Sequence, residues 1–262
     1  MSRSRSAVIL AAGKGTRMQS DLPKVAHEVA GAPMVLWVAR ACVEAGCERI
    51  VVVVGYEQET VRAIFENSWS DDLPPVEFCE QGEQLGTGHA VRCAMPHFPD
   101  ASAEPGHAVF VLAGDGPLIR ADTLRTLHAL FDERRAAAAL ATAHIDDPTG
   151  YGRIVRDSHG VFAGIVEQKD ATDEQLAIGE VNPSYYCFDV QQLDRALRDL
   201  TPSEASGEYY ITDVPALLLE RGERVEVVDA VPPEDVLSIN TPEQLAQVDE
   251  VLRARINQRA RA

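Results

Sequence analysis

The sequence lacks the long apolar segments of a membrane or secreted protein. No apolar run in the 262 residues approaches the ~18 residues of a membrane-spanning helix. The first residues, MSRSRS, are basic, but the apolar core of a signal peptide does not follow them. We therefore expect no membrane partner and predict a cytoplasmic protein.

Cysteine is sparse and shows no ligand pattern. The five cysteines are odd in number and scattered through apolar segments, without a C-x-x-C pair or a Cys/His metal spacing. This distribution predicts buried free thiols in a reducing compartment rather than a disulfide framework. The cysteines are Cys42, Cys47, Cys79, Cys93 and Cys187.

Positive charge is also scarce. The chain carries 24 Lys and Arg residues against 41 Asp and Glu residues, which gives a formal net charge of −17. Nucleic acids and anionic membranes repel a chain this acidic, so we expect neither as a partner.

One segment departs from this acidic background. Residues 7–24 (AVILAAGKGTRMQSDLPK) begin as a short apolar run and continue as a loop with two glycines and three cations, Lys14, Arg17 and Lys24. Glycine lets the main chain approach a ligand closely, and successive backbone N–H groups can hold an anion. The segment therefore predicts a polyphosphate site. An acidic protein that handles phosphates is expected to recruit a divalent cation.

Two common phosphate loops do not fit this segment. A Walker loop needs G-x-x-x-x-G-K-[ST], and a dinucleotide-binding fold needs G-x-G-x-x-G at the start of a helix. Here G-K-G is followed by T-R-M, so neither motif is present. The string L-A-A-G-K-G-T-R-M, followed by L-P-K, instead resembles the signature of sugar-nucleotide pyrophosphorylases. These nucleotidyltransferases join a nucleoside triphosphate to a sugar 1-phosphate.

The first half of the chain alternates apolar runs with helical periodicity, which is typical of a doubly wound α/β sheet. Ligands of such sheets bind beyond the carboxyl ends of the strands. The predicted strands are Ala7–Ala12, Arg49–Val54, Val76–Cys79 and His107–Ala113, and the predicted helices are Pro33–Ala45, Glu57–Asn67, Gly86–Met95 and Ala121–Arg135.

The second half is richer in strands, and no linker separates it from the first. We predict one domain over 1–262, with a nucleotide half at about 6–135, a sugar half at about 136–240 and a C-terminal helix at about 242–257. The predicted strands are Ala136–Ile145, Gly152–Arg156, Val161–Glu167, Val181–Val190 and Arg224–Val228, and the predicted helices are Gln191–Leu200, Thr212–Arg221 and Pro242–Ile256. The resemblance implies a Rossmann-like mixed sheet of the nucleotide-diphospho-sugar transferase type, similar to GT-A folds.

Further motifs narrow the resemblance. The string E-Q-L-G-T-G-H-A at 83–90 is similar to the uridylyltransferase half of the bacterial bifunctional enzyme that makes UDP-N-acetylglucosamine, a peptidoglycan precursor. The likeness extends from Val8 to about Arg253 and implies transfer of UMP from UTP to N-acetylglucosamine 1-phosphate with Mg²⁺ as cofactor. The bifunctional enzyme continues into an acetyltransferase β-helix that has no counterpart in this sequence. We therefore expect neither acetyl transfer nor the trimerisation that the β-helix provides.

The resemblance also implies a nucleotide site. A glutamine amide can pair with the edge of uracil, which suits Gln81, whereas Thr87 taken alone could equally be a helix N-cap. The implied nucleotide-binding residues are Leu10, Ala11, Ala12, Gly13, Gly15, Gln81, Gly86 and Thr87.

The implied catalytic residues are Arg17, Lys24 and Asp115. A carboxylate at a strand end beside a polyphosphate loop is a good magnesium ligand, although an aspartate in a turn is often a structural cap. The G-D-x-P-L element at 114–118 matches the family and favours Asp115 as the metal ligand. Its partner would be Asn240, which could instead cap the last helix.

The implied sugar-binding residues are Gly114, Gly150, Glu167 and Asn182. Glu167 could otherwise be an exposed strand charge and Asn182 a turn residue. The segment GEYYITD at 207–213 also matches the family, and we predict that its role is mainly structural. His89, on a predicted helix, is expected to serve packing.

Three departures from the family pattern fall close to the sugar. Ala113 stands where the family usually has tyrosine, Gly116 where it has an apolar side chain, and Pro183 where it has Thr or Ser. The loss of a phenol removes a hydrogen bond and leaves space, and proline fixes φ and lacks an N–H. The reaction class is therefore better defined than the sugar.

Three alternatives remain open at this stage. The same reaction could use another sugar 1-phosphate or dTTP, because Gln81 can pair with thymine as well as with uracil. The fold could serve a non-catalytic sugar-nucleotide sensor, although a pure binder would not need Arg17, Lys24, Asp115 and Asn240. A cytidylyltransferase of the related type would not be expected to carry E-Q-L-G-T-G.

Overall fold

Short apolar runs build one nine-stranded sheet in the computed structural model, which describes residues 4–99 and 106–260. The strands of this sheet are β1 (Arg5–Leu10), β4 (Arg49–Val54), β5 (Val76–Glu80), β6 (Ala108–Ala113), β7 (Ala138–His144), β8 (Gly152–Arg156), β9 (Phe162–Val166), β10 (Glu180–Asp189) and β11 (Val225–Asp229). A separate hairpin consists of β2 (Glu28–Val29) and β3 (Ala32–Pro33).

The strand order explains where a ligand can bind. The main path runs β11-β7-β10-β6-β1-β4-β5, and β8 and β9 extend from β10. The β6-β1-β4-β5 part is parallel, and β10 inserts antiparallel between β6 and β7. The parallel strands place their carboxyl ends at one edge, so the loops that follow β1, β5 and β6 meet there.

Helices cover both faces of the sheet. In β1, Ala7 and Ile9 pack with one buried cluster and Val8 with the other, so no residue of this strand interior faces water. Burial on both faces explains why the strands are continuous apolar runs rather than alternating patterns. The α-helices are α1 (Met34–Glu44), α2 (Gln58–Ser68), α3 (Thr87–Ala94), α4 (Ala121–Arg134), α5 (Asp173–Leu176), α6 (Val190–Asp199), α7 (Val214–Glu220) and α8 (Pro242–Arg259).

The predicted α/β fold in a single domain is confirmed, and most elements agree within two residues. The first strand begins and ends two residues earlier than predicted, because Ala11 and Ala12 already belong to the loop. The helix predicted from Thr212 is a short 3-10 turn, Ile211–Asp213, followed by α7. Pro215 explains this start, because proline fits only the first turn of an α-helix.

The C-terminal helix α8 is tied to the sheet by a buried carboxylate. Asp235 is 2% exposed and accepts hydrogen bonds from Arg120 and from Arg255 on α8. Arg255 also donates to the Leu118 carbonyl at 2.7 Å. An apolar cluster that includes Val248 and Leu252 packs the same helix against the β2–β3 hairpin. These contacts fix the segment between β11 and α8, which carries Asn240.

All five cysteines are free, and four of them are buried, as the sequence predicted. Within the described residues, no helix combines the length and the apolar character that crossing a membrane would need.

Candidate active site

A cavity of about 490 Å³ opens at the carboxyl edge of the parallel strands. Its size lies within the range of roughly 300–1,000 Å³ that is usual for small-molecule sites. The predicted site residues that line it are Leu10, Ala12, Gly13, Gly15, Arg17, Lys24, Gln81, Gly86, Thr87, Asp115 and Asn240. The structure therefore brings three predicted parts of the site together around one cavity: the glycine-rich loop of segment 7–24 (the phosphate loop), the loop at 81–87 (the base loop) and the predicted metal ligands.

Two predicted residues contribute to this edge through their backbone. Ala11 is buried, and its N–H donates to the Val53 carbonyl at 2.8 Å. The Gly114 N–H donates to the Leu10 carbonyl at 2.9 Å. A Cβ at Gly114 would lie 2.8 Å from that same carbonyl oxygen, so only glycine allows the loop after β6 to close on β1.

The phosphate loop needs glycine at position 15. Gly15 has φ +69°, in the left-handed region that favours glycine, and its carbonyl accepts the Met18 N–H at 2.9 Å. A Cβ at this position would lie 2.6 Å from the Cβ of Lys24. The Lys24 side chain therefore packs directly against Gly15, and a larger residue at position 15 would displace it.

For the nucleotidyl transfer that the resemblance implies, we expect Gly15→Ala to lower kcat/KM by at least about tenfold. A displacement of about 1 Å in a positioning group can cost up to 10²-fold in rate. The added methyl group strains the backbone and pushes Lys24 from its place. Gly164→Ala is the control, since a Cβ there would meet only Ala216 at 3.8 Å. The measurement is steady-state kinetics of both variants beside their thermal midpoints. Equal activity of the two variants would show that the Gly15–Lys24 contact does not matter.

Lys24 is the centre of the polar contacts in the cavity. Its ammonium forms an ion pair with the Asp115 carboxylate and donates a hydrogen bond of 2.6 Å to Oδ1 of Asn240. Arg17 donates to the same Oδ1 at 2.7 Å. Arg17 and Lys24 thus meet at Oδ1 of Asn240, and Lys24 also reaches the Asp115 carboxylate. Lys24 and Asn240 lie 216 positions apart in the sequence.

Asn240 does not cap α8. The N-cap residue is Thr241, whose hydroxyl accepts the Gln244 N–H at 3.3 Å. The Asn240 side chain donates from Nδ2 to the Ser238 hydroxyl at 3.2 Å, which directs Oδ1 toward the cations. The capping interpretation of Asn240 is therefore wrong, and its oxygen faces the cavity, where it accepts from Lys24 and Arg17.

The oxygens of Asp115 and Asn240 fit a magnesium ion. Both meet one cationic group, the Lys24 ammonium, so they can address a single cation. Mg²⁺ takes oxygen donors and is commonly held by one or two carboxylates together with substrate phosphates. Within residues 4–99 and 106–260, no group of three or more His, Cys, Asp or Glu side chains could hold a metal ion. The available donors therefore suit a metal that a nucleotide helps to bind.

The loop after β5 forms the other end of the cavity. Gly86 has φ +103°, and a Cβ there would lie 2.5 Å from the Tyr209 carbonyl oxygen. Thr87 is not an N-cap; its hydroxyl accepts the Ile211 N–H at 3.0 Å. The 207–213 segment packs against the start of α3 through these contacts, as a structural role would require.

Sequence reasoning assigned no site role to Gln84 and Glu208 and singled out Lys14 only as a cation of the 7–24 segment, but all three line the cavity. Gln84 donates to the Ala12 carbonyl at 2.8 Å and so joins the base loop to the phosphate loop. Lys14 places its ammonium over the Tyr56 ring, 4.9 Å from the centroid. Glu208 also lines the cavity. Its position in GEYYITD gave no sign of this, because that segment meets α3 only through tertiary pairing.

Most of the chain matches a known protein family. Residues 7–176 match the family described as "MobA-like NTP transferase domain". The chain belongs to that NTP transferase family. Its matched residues include the phosphate loop, Gln81 and Asp115, while Asn240 lies beyond them.

Relatives of this NTP transferase include several bacterial proteins named "Bifunctional protein GlmU". The protein from Syntrophomonas wolfei is 44% identical over 252 residues, which cover 96% of this chain and 54% of the relative. The protein from Carboxydothermus hydrogenoformans is 46% identical over 241 residues (92% and 51%), and that from Sorangium cellulosum 45% over 257 residues (98% and 53%). The chain thus spans about half the length of these relatives.

A smaller cavity of about 60 Å³ adjoins the main one in the NTP transferase. Leu10, Thr87 and Ala113 line both cavities, and Glu167 and Tyr186 line the smaller one. Glu167 is not an exposed strand charge, because it is half-buried and accepts a hydrogen bond of 2.9 Å from the Thr212 hydroxyl.

The other two predicted sugar residues lie elsewhere. Asn182 is 4% exposed; it donates to the Tyr186 hydroxyl at 2.6 Å and accepts the Ser184 N–H at 3.2 Å. Gly150 lies in an exposed turn, where its N–H donates to Gln168. The structure brings neither to the wall of the main cavity, and their sugar roles stay predictions.

The family departures have visible consequences. Ala113 lies at the junction of the two cavities, where its small side chain leaves space. A Cβ at Gly116 would make ordinary contact, 3.7 Å from the Tyr185 hydroxyl. Pro183 lies where the register of β10 with β7 shifts, in an irregularity that accommodates a residue without an N–H.

Two carboxyl groups beside the smaller cavity have raised pKa values. Burial raises the pKa of Asp213 to about 6, with further contributions from the charges of Glu167 and Asp170. Burial also raises the pKa of Glu167. The hydrogen bond from Thr212 lowers this pKa, whereas the negative charges of Asp170 and Glu208 raise it further. The two ionised carboxylates therefore repel each other near neutral pH.

We expect Asp213→Asn to raise the thermal midpoint at pH 8 and to leave it nearly unchanged at pH 4. The folded protein binds more protons than the unfolded chain between the ordinary aspartate pKa and about 6, so the stability contributed by Asp213 falls as pH rises through this window. Thermal unfolding of wild type and variant at pH 4, 6 and 8 measures the difference. The exposed Asp173→Asn is the control. A variant midpoint below that of wild type at pH 8 would contradict the assignment.

Proposed function

We propose that the chain transfers UMP from UTP to a sugar 1-phosphate and releases pyrophosphate, with N-acetylglucosamine 1-phosphate as the preferred acceptor. The observation that carries this proposal is the convergence of Lys24, Arg17, Asp115 and Asn240 in one cavity with Gln81. Two cations beside two metal-type oxygen donors suit the transfer of a phosphoryl group better than simple binding of a sugar nucleotide.

The reaction would proceed by in-line displacement. An oxygen of the sugar 1-phosphate forms a bond to the α-phosphorus of UTP, and the bond between the α-phosphorus and the α,β-bridging oxygen breaks, so that pyrophosphate leaves. Arg17 would hold the β- and γ-phosphates. Lys24 would bridge the α-phosphate and the sugar phosphate and reduce the repulsion between two anions. Positioning and charge neutralisation supply most of the acceleration in such chemistry.

Asp115 and Asn240 would hold Mg²⁺. When bound, the metal would neutralise charge on the α-phosphoryl oxygens. In the structure the Lys24 ammonium contacts the oxygens of both Asp115 and Asn240. A divalent cation at these oxygens would compete with the ammonium and favour contact of Lys24 with phosphate. The two glycines of the phosphate loop would let backbone N–H groups approach the polyphosphate.

Gln81 would recognise the base, with backbone contacts from Gly86 and Thr87. Glu167 and Asn182 would hold sugar hydroxyls and the N-acetyl region, and Gly114 and Gly150 would contribute backbone contacts. On this proposal the division into a nucleotide half and a sugar half falls near residue 135, between α4 and β7.

The test is pyrophosphate release by the purified chain with UTP and Mg²⁺ across a panel of sugar 1-phosphates. The panel holds N-acetylglucosamine, N-acetylgalactosamine, glucose and galactose 1-phosphates, with dTTP and CTP in parallel. Release with UTP and N-acetylglucosamine 1-phosphate alone would support the full proposal. Release only with another sugar would keep the reaction and assign a change of specificity to the space beside Ala113.

A non-catalytic sugar-nucleotide sensor is the second candidate. It would bind UDP-sugar and release no pyrophosphate with any member of the panel. The contacts of Lys24 with Asp115 and Asn240 favour the enzyme, since a sensor of the product has no leaving pyrophosphate to neutralise.

A further inference from the structure

The amide of Gln81 is held by two protein groups. Gln81 is 4% exposed and lines the main cavity at its base end. Its Nε2 donates to the Gly86 carbonyl at 3.0 Å and lies 3.1 Å from Nδ1 of His89, on α3. The backbone on either side of Gly86 is held by Tyr209, which donates its N–H to the Leu85 carbonyl and accepts the Gly88 N–H, each at 2.8 Å.

Elementary hydrogen-bond chemistry fixes the state of these groups. A carbonyl oxygen can only accept, so the Gln81 atom that faces Gly86 must be the amide nitrogen. Its second hydrogen then points to Nδ1 of His89, which must be the unprotonated nitrogen of a neutral ring. The ring proton is therefore on Nε2, which lies 3.8 Å from Sγ of Cys93 and can donate a hydrogen bond to that sulfur.

This arrangement determines what Gln81 can offer to a base. Both hydrogens of Nε2 are used within the protein, so the group left for a ligand is the carbonyl oxygen Oε1, an acceptor. Uracil presents a donor, N3–H, at the corresponding position of its pairing edge. Cytosine presents an unprotonated N3 there, and two acceptors facing each other repel. If a bound pyrimidine places N3 against Oε1, the held amide would favour uracil over cytosine.

We propose that His89 is a positioning residue that sets the nucleobase preference by holding the Gln81 amide with its oxygen toward the ligand. This inference rests on the proposed function for the identity of the nucleotide. His89 acts through Gln81 and has no contact of its own with the base. On this proposal His89 has a role in specificity beyond the packing that the sequence predicted.

The proposal separates His89 from a packing residue because the two roles respond differently to substitution. In His89→Leu the ring volume is largely kept, but the acceptor at Nδ1 is lost. In His89→Asn the volume falls, but Oδ1 can take the place of Nδ1 and accept from Gln81. A packing role predicts that leucine is the better replacement, whereas a positioning role predicts that asparagine is.

The experiment is calorimetric titration of wild type, His89→Leu, His89→Ala and His89→Asn with UTP and with CTP in the presence of Mg²⁺, beside thermal midpoints. We expect wild type to prefer UTP and the Leu and Ala variants to lose about tenfold of that preference, which is the size of one modest hydrogen bond at roughly 1.4 kcal/mol. His89→Asn is expected to keep the preference within about threefold. The alanine variant preserves the test if leucine does not fold.

The outcomes distinguish this proposal from the proposed function. Loss of preference in Leu and Ala, with rescue in Asn, supports His89 as the positioning residue even if wild type releases no pyrophosphate. An unchanged ratio of UTP to CTP affinity in all variants overturns it, as does a wild type without base preference. Equal losses in all three variants that follow their thermal midpoints would assign His89 to packing and also overturn it.

Discussion

Lys24→Ala is expected to lower kcat/KM by about 10²–10³-fold, the usual loss when one preorganised electrostatic group is removed from a reaction centre. The Lys24 ammonium contacts the side chains of both Asp115 and Asn240, and it would bridge the two phosphates in the reaction. Alanine removes that charge, leaves the Asp115 carboxylate without this ion pair and leaves Oδ1 of Asn240 with Arg17 as its cationic partner. The thermal midpoint should change little, because the side chain reaches into a cavity rather than into the core.

Lys169→Ala is the matched control for this prediction. It removes the same charge from an exposed position and is expected to keep activity within about twofold, because Lys169 does not line the cavity. The measurement is the initial rate of pyrophosphate release at several concentrations of UTP and sugar 1-phosphate. If Lys24→Ala kept kcat/KM within about threefold of wild type, the assignment of Lys24 would be wrong.

Asp235→Ala is expected to lower the free energy of unfolding by about 3–5 kcal/mol, the usual cost of removing one partner from a buried ion pair. The carboxylate is almost fully buried and accepts hydrogen bonds from Arg120 and Arg255. Alanine leaves two guanidinium groups, one of them on α8, without this partner. The segment that carries Asn240 would loosen as well, so activity should fall with stability.

Glu234→Ala is the control beside it in the sequence. Glu234 pairs with the same Arg120 at 3.3 Å, but its side chain is 56% exposed, so its loss should cost less than about 1 kcal/mol. Urea unfolding at constant pH compares the two variants with wild type. A cost below about 1 kcal/mol for Asp235→Ala would show that the buried network does not hold α8.

Local pattern was sufficient for most of the fold. The continuous valine run of β4 predicts a strand that is buried on both faces, and the helical periodicity of the neighbouring segments predicts the helices that bury it. The β2–β3 hairpin and α5 were missed because each is too short to show a period. The ends of β1 and α8 were misplaced by a few residues, since apolar loop residues and a charged helix end carry little local signal.

The site was predicted less completely, for a physical reason. The glycines and cations of the phosphate loop lie close together in the sequence, so a polyphosphate site could be predicted from this one segment. The pairing of Lys24 with Asn240 and of Glu167 with Thr212 depends on tertiary contact over 216 and 45 positions. The bond between Gln81 and His89 spans only eight positions, but it required a strand to end where a helix begins.

In the proposed reaction the UMP group of UTP, including its α-phosphate, is transferred to a sugar 1-phosphate. The most direct measurement incubates the chain with Mg²⁺, N-acetylglucosamine 1-phosphate and UTP labelled at the α-phosphate, and follows the label by chromatography. Transfer predicts label in UDP-N-acetylglucosamine together with an equal amount of unlabelled pyrophosphate. Label that stays in UTP, or that appears only in UMP, while the chain demonstrably binds UTP would contradict this proposal.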